Sequence, residues 1–327
     1  MGEAARAHAR RRHASTAGSR SDPRGGAGLS TRARVDDPTE FSIEHDGLHI
    51  AALDWGGSGE PLLLLHPNGF CAGFFHPLAR RLRDHFRPVG VDLRGHGATD
   101  VPTQPGGLAY ARMAADVLAV LDELGTDQVV ALGVSLGGGV ATVVDELRPG
   151  VLRKLVLCEA IAFDLGNRSD GTRIRDDADG QHGNRMSAQA RKRTRVFPSR
   201  AAVLERYRRR DPLTSLAPEA LEAYVRWGFH DRPDGHVELA CPPEVEAAIF
   251  EMAGDPEGAP RAWAHLEALT CPADVLYGTD SDLPPDWFEA QAQRAGAVAE
   301  AIPGGHFFLF EDIDRGTAVV RDHMSEG

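Results

Sequence analysis

The stretch VVALGVSLGGGVA, Val129–Ala141, decides how the rest of the chain is read. An apolar run ends in Gly133-Val134-Ser135-Leu136-Gly137, and a run with helical spacing follows. Small residues on either side of a serine let a strand turn sharply into a helix, so the hydroxyl stands clear of a sheet edge. The following helix aims its first N–H groups at any anion formed there. A serine hydroxyl is a poor nucleophile at neutral pH and needs an adjacent base. The pattern therefore predicts a histidine and an acid downstream, in the chain order Ser, acid, His.

Outward from Val129–Ala141, strands and helices alternate. Two strand-like runs, FSIEHD and LHIAALDW, are split by Asp46-Gly47, a hairpin signal. PLLLLH, Pro61–His66, is a continuous apolar run that suits a strand buried on both faces. FFHPLARRLRDHF has helical spacing, RPVGVDLRGHG reads as a strand ending in a glycine-rich loop, and YARMAADVLAVLDELG as an amphipathic helix closed by Gly125. LRKLVLCEA is a further strand. The alternation predicts right-handed crossovers and a doubly wound, mostly parallel α/β sheet. From about Ile161 to Leu269 the strands vanish and helical stretches follow a polar loop over Asn167–Asn184, which reads as an inserted helical cap. The α/β rhythm resumes with CPADVLYG, PPDWFEAQAQRAG, AVAEAIP and a terminal helix. The expected organisation is a disordered tail over 1–38, a core over 39–160 and 270–327, and a cap over 161–269. The tail is rich in Arg, Ala, Gly and Ser and has too few large apolar residues to offset its ordering entropy.

Composition narrows the function. The 327 residues carry a formal net charge of −12, which argues against general nucleic-acid binding. No apolar run approaches the roughly 20 residues of a membrane span. Cys71, Cys158, Cys241 and Cys271 lie far apart with no CxxC pair, so neither a zinc site nor a disulfide framework is expected, and a reducing, cytoplasmic setting fits. The expected partner is a small-molecule substrate, with a second copy of the chain in a homodimer also compatible. No metal or organic cofactor is required.

The candidate base is His306, in IPGGHFFLFED, directly after a late apolar strand and freed by Gly304 and Gly305. The candidate acid lies in LYGTDSDLPP. Asp282 is the first choice and Asp280 the reserve; an acid there can hold the imidazole tautomer and stabilise the imidazolium. Glu159, at the end of the preceding strand, reads as a strand-end carboxylate capping the insertion. An oxyanion site needs N–H donors where negative charge develops. Leu136, just after the nucleophile, offers one. The loop HPNGF offers the second; Pro67 has no N–H, so the donor is Asn68 or a neighbour, and His66 is read as bracing that loop. Arg94 and Asp92 of DLRGHG are read as pairing with each other or capping their loop. The cap's basic cluster, which includes Arg191, Arg193, Arg195 and Arg206–Arg210 apart from Tyr207, reads as a solvated face. Phe70, Phe74, Phe75, Phe163, Trp227 and Phe307 are candidate acyl-pocket residues.

Taken together, HPNGF, VDLRGHGATD, GVSLGG, GTDSD and PGGHFFLFED resemble the α/β-hydrolase fold superfamily with a helical cap, from about Phe41 to the C-terminus, with Pro67 standing where the family usually has Gly. The resemblance implies Ser135 as nucleophile, His306 as base, Asp282 as orienting acid, and Asn68 and Leu136 as oxyanion donors. Relatives that take the acid after the earlier strand keep Glu159 open. It implies a serine hydrolase acting on an ester or lactone. Alternatives within the fold are C–C bond hydrolases of ring-cleavage products, cofactor-free haloperoxidases or perhydrolases, and a non-enzymatic ligand receptor. Epoxide hydrolases and haloalkane dehalogenases normally place an aspartate where Ser135 stands.

Overall fold

A computed structural model describes residues 36–163 and 185–325. The polar loop expected over 167–184 and most of the expected tail lie outside them. Eleven strands and eleven α-helices occur among the described residues. The hairpin strands β1 (Thr39–His45) and β2 (Leu48–Asp54) turn at Asp46, which adopts φ 50, and Gly47, at φ 75. There follow β3 (Glu60–Leu65), α1 (His76–Leu82), β4 (Phe86–Val91), α2 (Tyr110–Glu123), β5 (Val129–Val134), α3 (Leu136–Leu147) and β6 (Leu152–Cys158). The sheet order is β1-β2-β4-β3-β5-β6-β10-β11, closed by β10 (Ala273–Gly278) and β11 (Ala299–Ile302). Only the β1–β2 and β2–β4 pairings are antiparallel; the six strands from β4 onward pair in parallel. The sheet is thus the mostly parallel α/β sheet expected.

β3 shows why an unbroken apolar run is needed at the sheet centre. Leu62 and Leu64 face one side with Leu78 and Leu82 of α1, and Leu63 and Leu65 face the other with Met113 and Val117 of α2. All four β3 leucines are at most 1% exposed, and each contributes roughly 1.5–3 kcal/mol of burial. On the first face α11 (Ile313–Ser325) adds Val320 and Met324; on the second α3 adds Val140 and Val144, and α9 (Pro285–Ala295) adds Phe288.

Between β6 and β10 lie α4 (Arg185–Ala190), α5 (Arg200–Tyr207), α6 (Pro218–Trp227), α7 (Pro243–Glu251) and α8 (Ala259–His265). The insertion is not purely helical. β7 (Val196–Phe197), β8 (Phe229–Asp231) and β9 (Val237–Leu239) form a small antiparallel sheet, order β7-β9-β8. This corrects the expectation that strands vanish there: strands of two or three residues form through pairing with β9 and are too short to show alternation. At the chain's other end, Asp37 falls within the expected tail but pairs with Arg226 of α6 through two contacts of 2.7 and 2.6 Å. The helix α10 (Phe308–Glu311) precedes α11.

Candidate active site

The turn from β5 to α3 is built as the glycine pattern demands. Ser135 has φ 54 and ψ −117, outside the regions L-residues favour, a conformation that costs roughly 1–3 kcal/mol. Main-chain bonds hold it there: the Ser135 N–H donates to Cys158 C=O at 2.9 Å, and its own C=O accepts from Ile161 N–H at 2.9 Å and Gly138 N–H at 3.0 Å. Side chains are excluded from the flanks. A Cβ on Gly137 would stand 2.1 Å from the Leu65 carbonyl oxygen, and one on Gly133 2.5 Å from Gly138 Cα. Leu136 is the first residue of α3, so its N–H has no intrahelical acceptor and is free to meet an anion.

His306 follows Gly304 and Gly305 in the loop after β11. That loop is pinned by Asp280 N–H on Gly304 C=O at 2.8 Å and by the Glu311 carboxylate on Gly305 N–H at 3.1 Å. The ring is about one-quarter exposed. Its Nδ1 lies 2.5 Å from Oε2 of Glu159, and the Glu159 side chain is fully buried. The other demands on that carboxylate are met as well: Gly278 N–H donates to Oε1 and the Ser281 hydroxyl to Oε2, both at 2.8 Å. Glu159 itself sits at φ 46, the second positive-φ non-glycine residue of this site, with its N–H on Leu276 C=O.

The sequence expectation for the acid is therefore corrected. The structure sets Glu159, not Asp282, against His306. Asp282 and Asp280 are exposed, and neither carboxylate reaches the imidazole; Asp280 serves the loop through its backbone N–H alone. Ser281, between them, turns its hydroxyl onto Glu159. Glu159 is no strand cap: its oxygens face the neighbouring strand end and the histidine loop. With Nδ1 donating to a carboxylate, Nε2 is left as the acceptor.

The HPNGF loop is braced as expected. His66 Nδ1–H donates to Pro67 C=O at 2.9 Å, and its Nε2 accepts from Leu93 N–H at 2.9 Å. His96 works in parallel: Nδ1–H donates to Arg94 C=O and Nε2 accepts from Gly69 N–H at 3.0 Å. The Asn68 N–H has no acceptor among the described residues. Asp92 and Arg94 do not pair with each other, contrary to one reading of DLRGHG. Asp92 accepts from the N–H groups of Ala72 and Ala98, while Arg94 pairs with Asp116 and Asp46. Of the candidate pocket aromatics, Phe70, Phe74 and Phe307 form one cluster, with Phe70–Phe307 centroids 5.0 Å apart. Phe75 meets it directly at Phe74, with centroids 6.5 Å apart, and through Phe310. Phe163 instead packs on Trp287, and Trp227 on His76.

Burial under this loop shapes its response to acid. Burial holds His66 well below the usual imidazole range and lowers His96 and His76 to about 4. All three are neutral in the fold but bind protons in the unfolded chain, so stability present above pH 6.5 is lost as pH falls toward 4. Asp92, raised by burial to about 6, acts oppositely: the folded chain keeps its proton between pH 3.8 and 6. His96 and Asp92 are each worth roughly 3 kcal/mol and offset each other, leaving His66 and His76 to set the sign. The melting temperature is expected to fall by about 5 °C or more between pH 7 and 4.5, read by thermal denaturation; a flat or rising profile contradicts this account.

The comparisons with known proteins agree with this fold. The profile of the alpha/beta hydrolase family matches residues 62–321, and the chain belongs to that family. Epoxide hydrolase 4 of Mus musculus is 31% identical over 118 residues, which is 35% of this chain and 32% of that protein. The chain thus spans about a third of the length of the curated relatives it matches. Among solved structures, a thermophilic esterase from Thermogutta terrifontis is 26% identical with a TM-score of 0.60, covering 88% of this chain and 98% of that one. The thioesterase domain from the curacin biosynthetic pathway superposes with a TM-score of 0.70 at 19% identity, over 87% and 99% of the two chains.

Proposed function

We propose that the protein is a serine hydrolase that cleaves a carboxylic ester or lactone of a small, fairly apolar molecule through an acyl-enzyme. The observation that carries this reading is the Nδ1 of His306 held on the buried Glu159 carboxylate, which leaves Nε2 to take a proton. Ser135 attacks the carbonyl carbon as His306 Nε2 removes its proton. The oxyanion accepts from the N–H groups of Leu136 and Asn68. His306 returns the proton to the leaving alcohol, and water then attacks the acyl carbon with the same histidine as base.

The serine also selects the substrate class. Opening an epoxide with a serine oxygen would leave an ether, with no carbonyl for water to attack, and turnover would stop after one event. An acyl group leaves an ester on Ser135, which the same oxyanion site can cleave. The neighbouring aromatic cluster of Phe70, Phe74 and Phe307 supports an apolar acyl group, and likeness to a solved esterase points the same way.

The test combines a fluorophosphonate probe with a panel of short p-nitrophenyl esters and lactones. One adduct per chain, mapped to Ser135 by mass spectrometry, together with many turnovers per site is expected. A chain that neither labels nor turns over any member of the panel overturns the reading. Turnover confined to a dienone ring-cleavage product would reassign the same residues to C–C bond cleavage.

A further inference from the structure

One arginine of the cap's basic cluster departs from the solvated face. Arg191, Arg195 and Arg208 pair with Glu251, Glu238 and Glu222 at the surface. Arg193, in the turn after α4, is instead largely buried, its Nη1 on the Glu246 carboxylate and its Nη2 donating to the hydroxyl of Tyr224 at 2.8 Å. Tyr224 in turn donates to the Gly69 carbonyl at 2.9 Å. Glu246 closes a ring: its backbone carbonyl accepts from Asn68 Nδ2 at 2.9 Å.

The loop that carries the Asn68 N–H is thus gripped from two sides. The core holds Gly69 N–H through His96, and the cap holds Gly69 C=O and the Asn68 amide. Gly69 adopts φ 77, where a glycine backbone otherwise swings freely. The Pro67–Asn68 peptide, which carries the Asn68 N–H, is held by the core through its own carbonyl, which accepts from His66 Nδ1–H at 2.9 Å and Phe70 N–H at 3.2 Å. Fixing both peptide groups of Gly69 and the Asn68 side chain from the cap removes the slack that remains on its far side. A buried ion pair such as Arg193–Glu246 is weak evidence for stability.

We propose that Tyr224 and Arg193 are positioning residues that sharpen the aim of the Asn68 N–H at the oxyanion, so that the docked cap finishes the alignment that the core's bracing of the loop begins. The proposal rests on the Ser135 reading above. Burial among aromatics raises the Tyr224 hydroxyl far above its usual range, so it remains a donor at every working pH, and Phe can replace the ring without the hydroxyl.

The test compares an ester with its thionoester, whose sulfur accepts hydrogen bonds poorly. In Tyr224→Phe, kcat for the ester is expected to fall about 10- to 100-fold, less than the loss of a whole donor. KM should stay within about threefold, and the thionoester should slow by less than about threefold. The ester-to-thionoester rate ratio then drops at least about threefold. Asn68→Ala, which keeps the backbone donor but removes its anchor to Glu246, should shift the ratio the same way, and supplies the answer if Tyr224→Phe fails to fold. Arg193→Lys should retain more of the ratio than Arg193→Gln. Equal slowing of both substrates, or an unmoved ratio, overturns the positioning role while wild-type labelling and turnover keep the Ser135 reading intact. Wild-type protein that neither labels nor turns over removes both.

Discussion

Glu159→Gln lowers kcat on an ester substrate by roughly 10³- to 10⁴-fold, whereas Asp282→Asn changes it by less than about threefold. The first figure is the order found when a triad carboxylate becomes an amide. Its cause can be read from the Glu159 contacts. Gly278 N–H donates to Oε1, so a glutamine must keep its carbonyl oxygen there. Its NH₂ group then replaces Oε2 and faces His306 Nδ1 as a donor. The imidazole answers by moving its proton to Nε2, and the nitrogen that should take the serine proton is blocked. The change is isosteric and the Ser281 oxygen can accept from the new NH₂ group where its hydroxyl had donated to Oε2, so melting temperature should move far less than rate. Asp282 is exposed and away from the imidazole, so its amide has nothing to disturb. Steady-state kinetics of the two variants decide the matter; the reverse pattern would return the acid to the β10 loop.

Ser135→Ala reduces kcat by roughly 10⁶-fold and abolishes fluorophosphonate labelling, with the fold retained. The size follows from removing the attacking atom of a unit whose members act together. Retention of the fold follows from the turn itself: Ser135 is held by its backbone N–H and C=O, and alanine tolerates the strained φ no worse than serine. The measurement is turnover of the best ester in the panel with a melting curve beside it. A variant that kept more than about a thousandth of wild-type turnover would place the nucleophile elsewhere.

Much of this architecture is legible in sequence because it is local. The Leu62–Leu65 run, the Asp46-Gly47 turn and the glycines around Ser135 each report a constraint set by their own neighbours. The acid is not local. Glu159 and His306 are 147 residues apart, and nothing beside Glu159 announces its positive φ. The carboxylates of Asp280 and Asp282 draw the eye in LYGTDSDLPP, while the informative residue between them, Ser281, declares its role only once its hydroxyl is seen against Glu159. Arg193 is hidden for a related reason. In sequence it is one arginine among many, and only the convergence of α6 and α7 on the Gly69 loop removes it from water. The cap strands fail to show for want of length.

The placement of Glu159 also divides the labour of the fold unequally. Ser135 and Glu159 end adjacent strands, β5 and β6, and the backbone bonds from Ser135 to Cys158 and from Ile161 to Ser135 stitch their two turns together. Attacker and anchor therefore ride on one crossover unit whose internal span is fixed. On the proposed mechanism the imidazole alone arrives from the far C-terminal piece, so lifting β11 and its following loop would disarm the chemistry in a single stroke, and reseating that one loop would restore it.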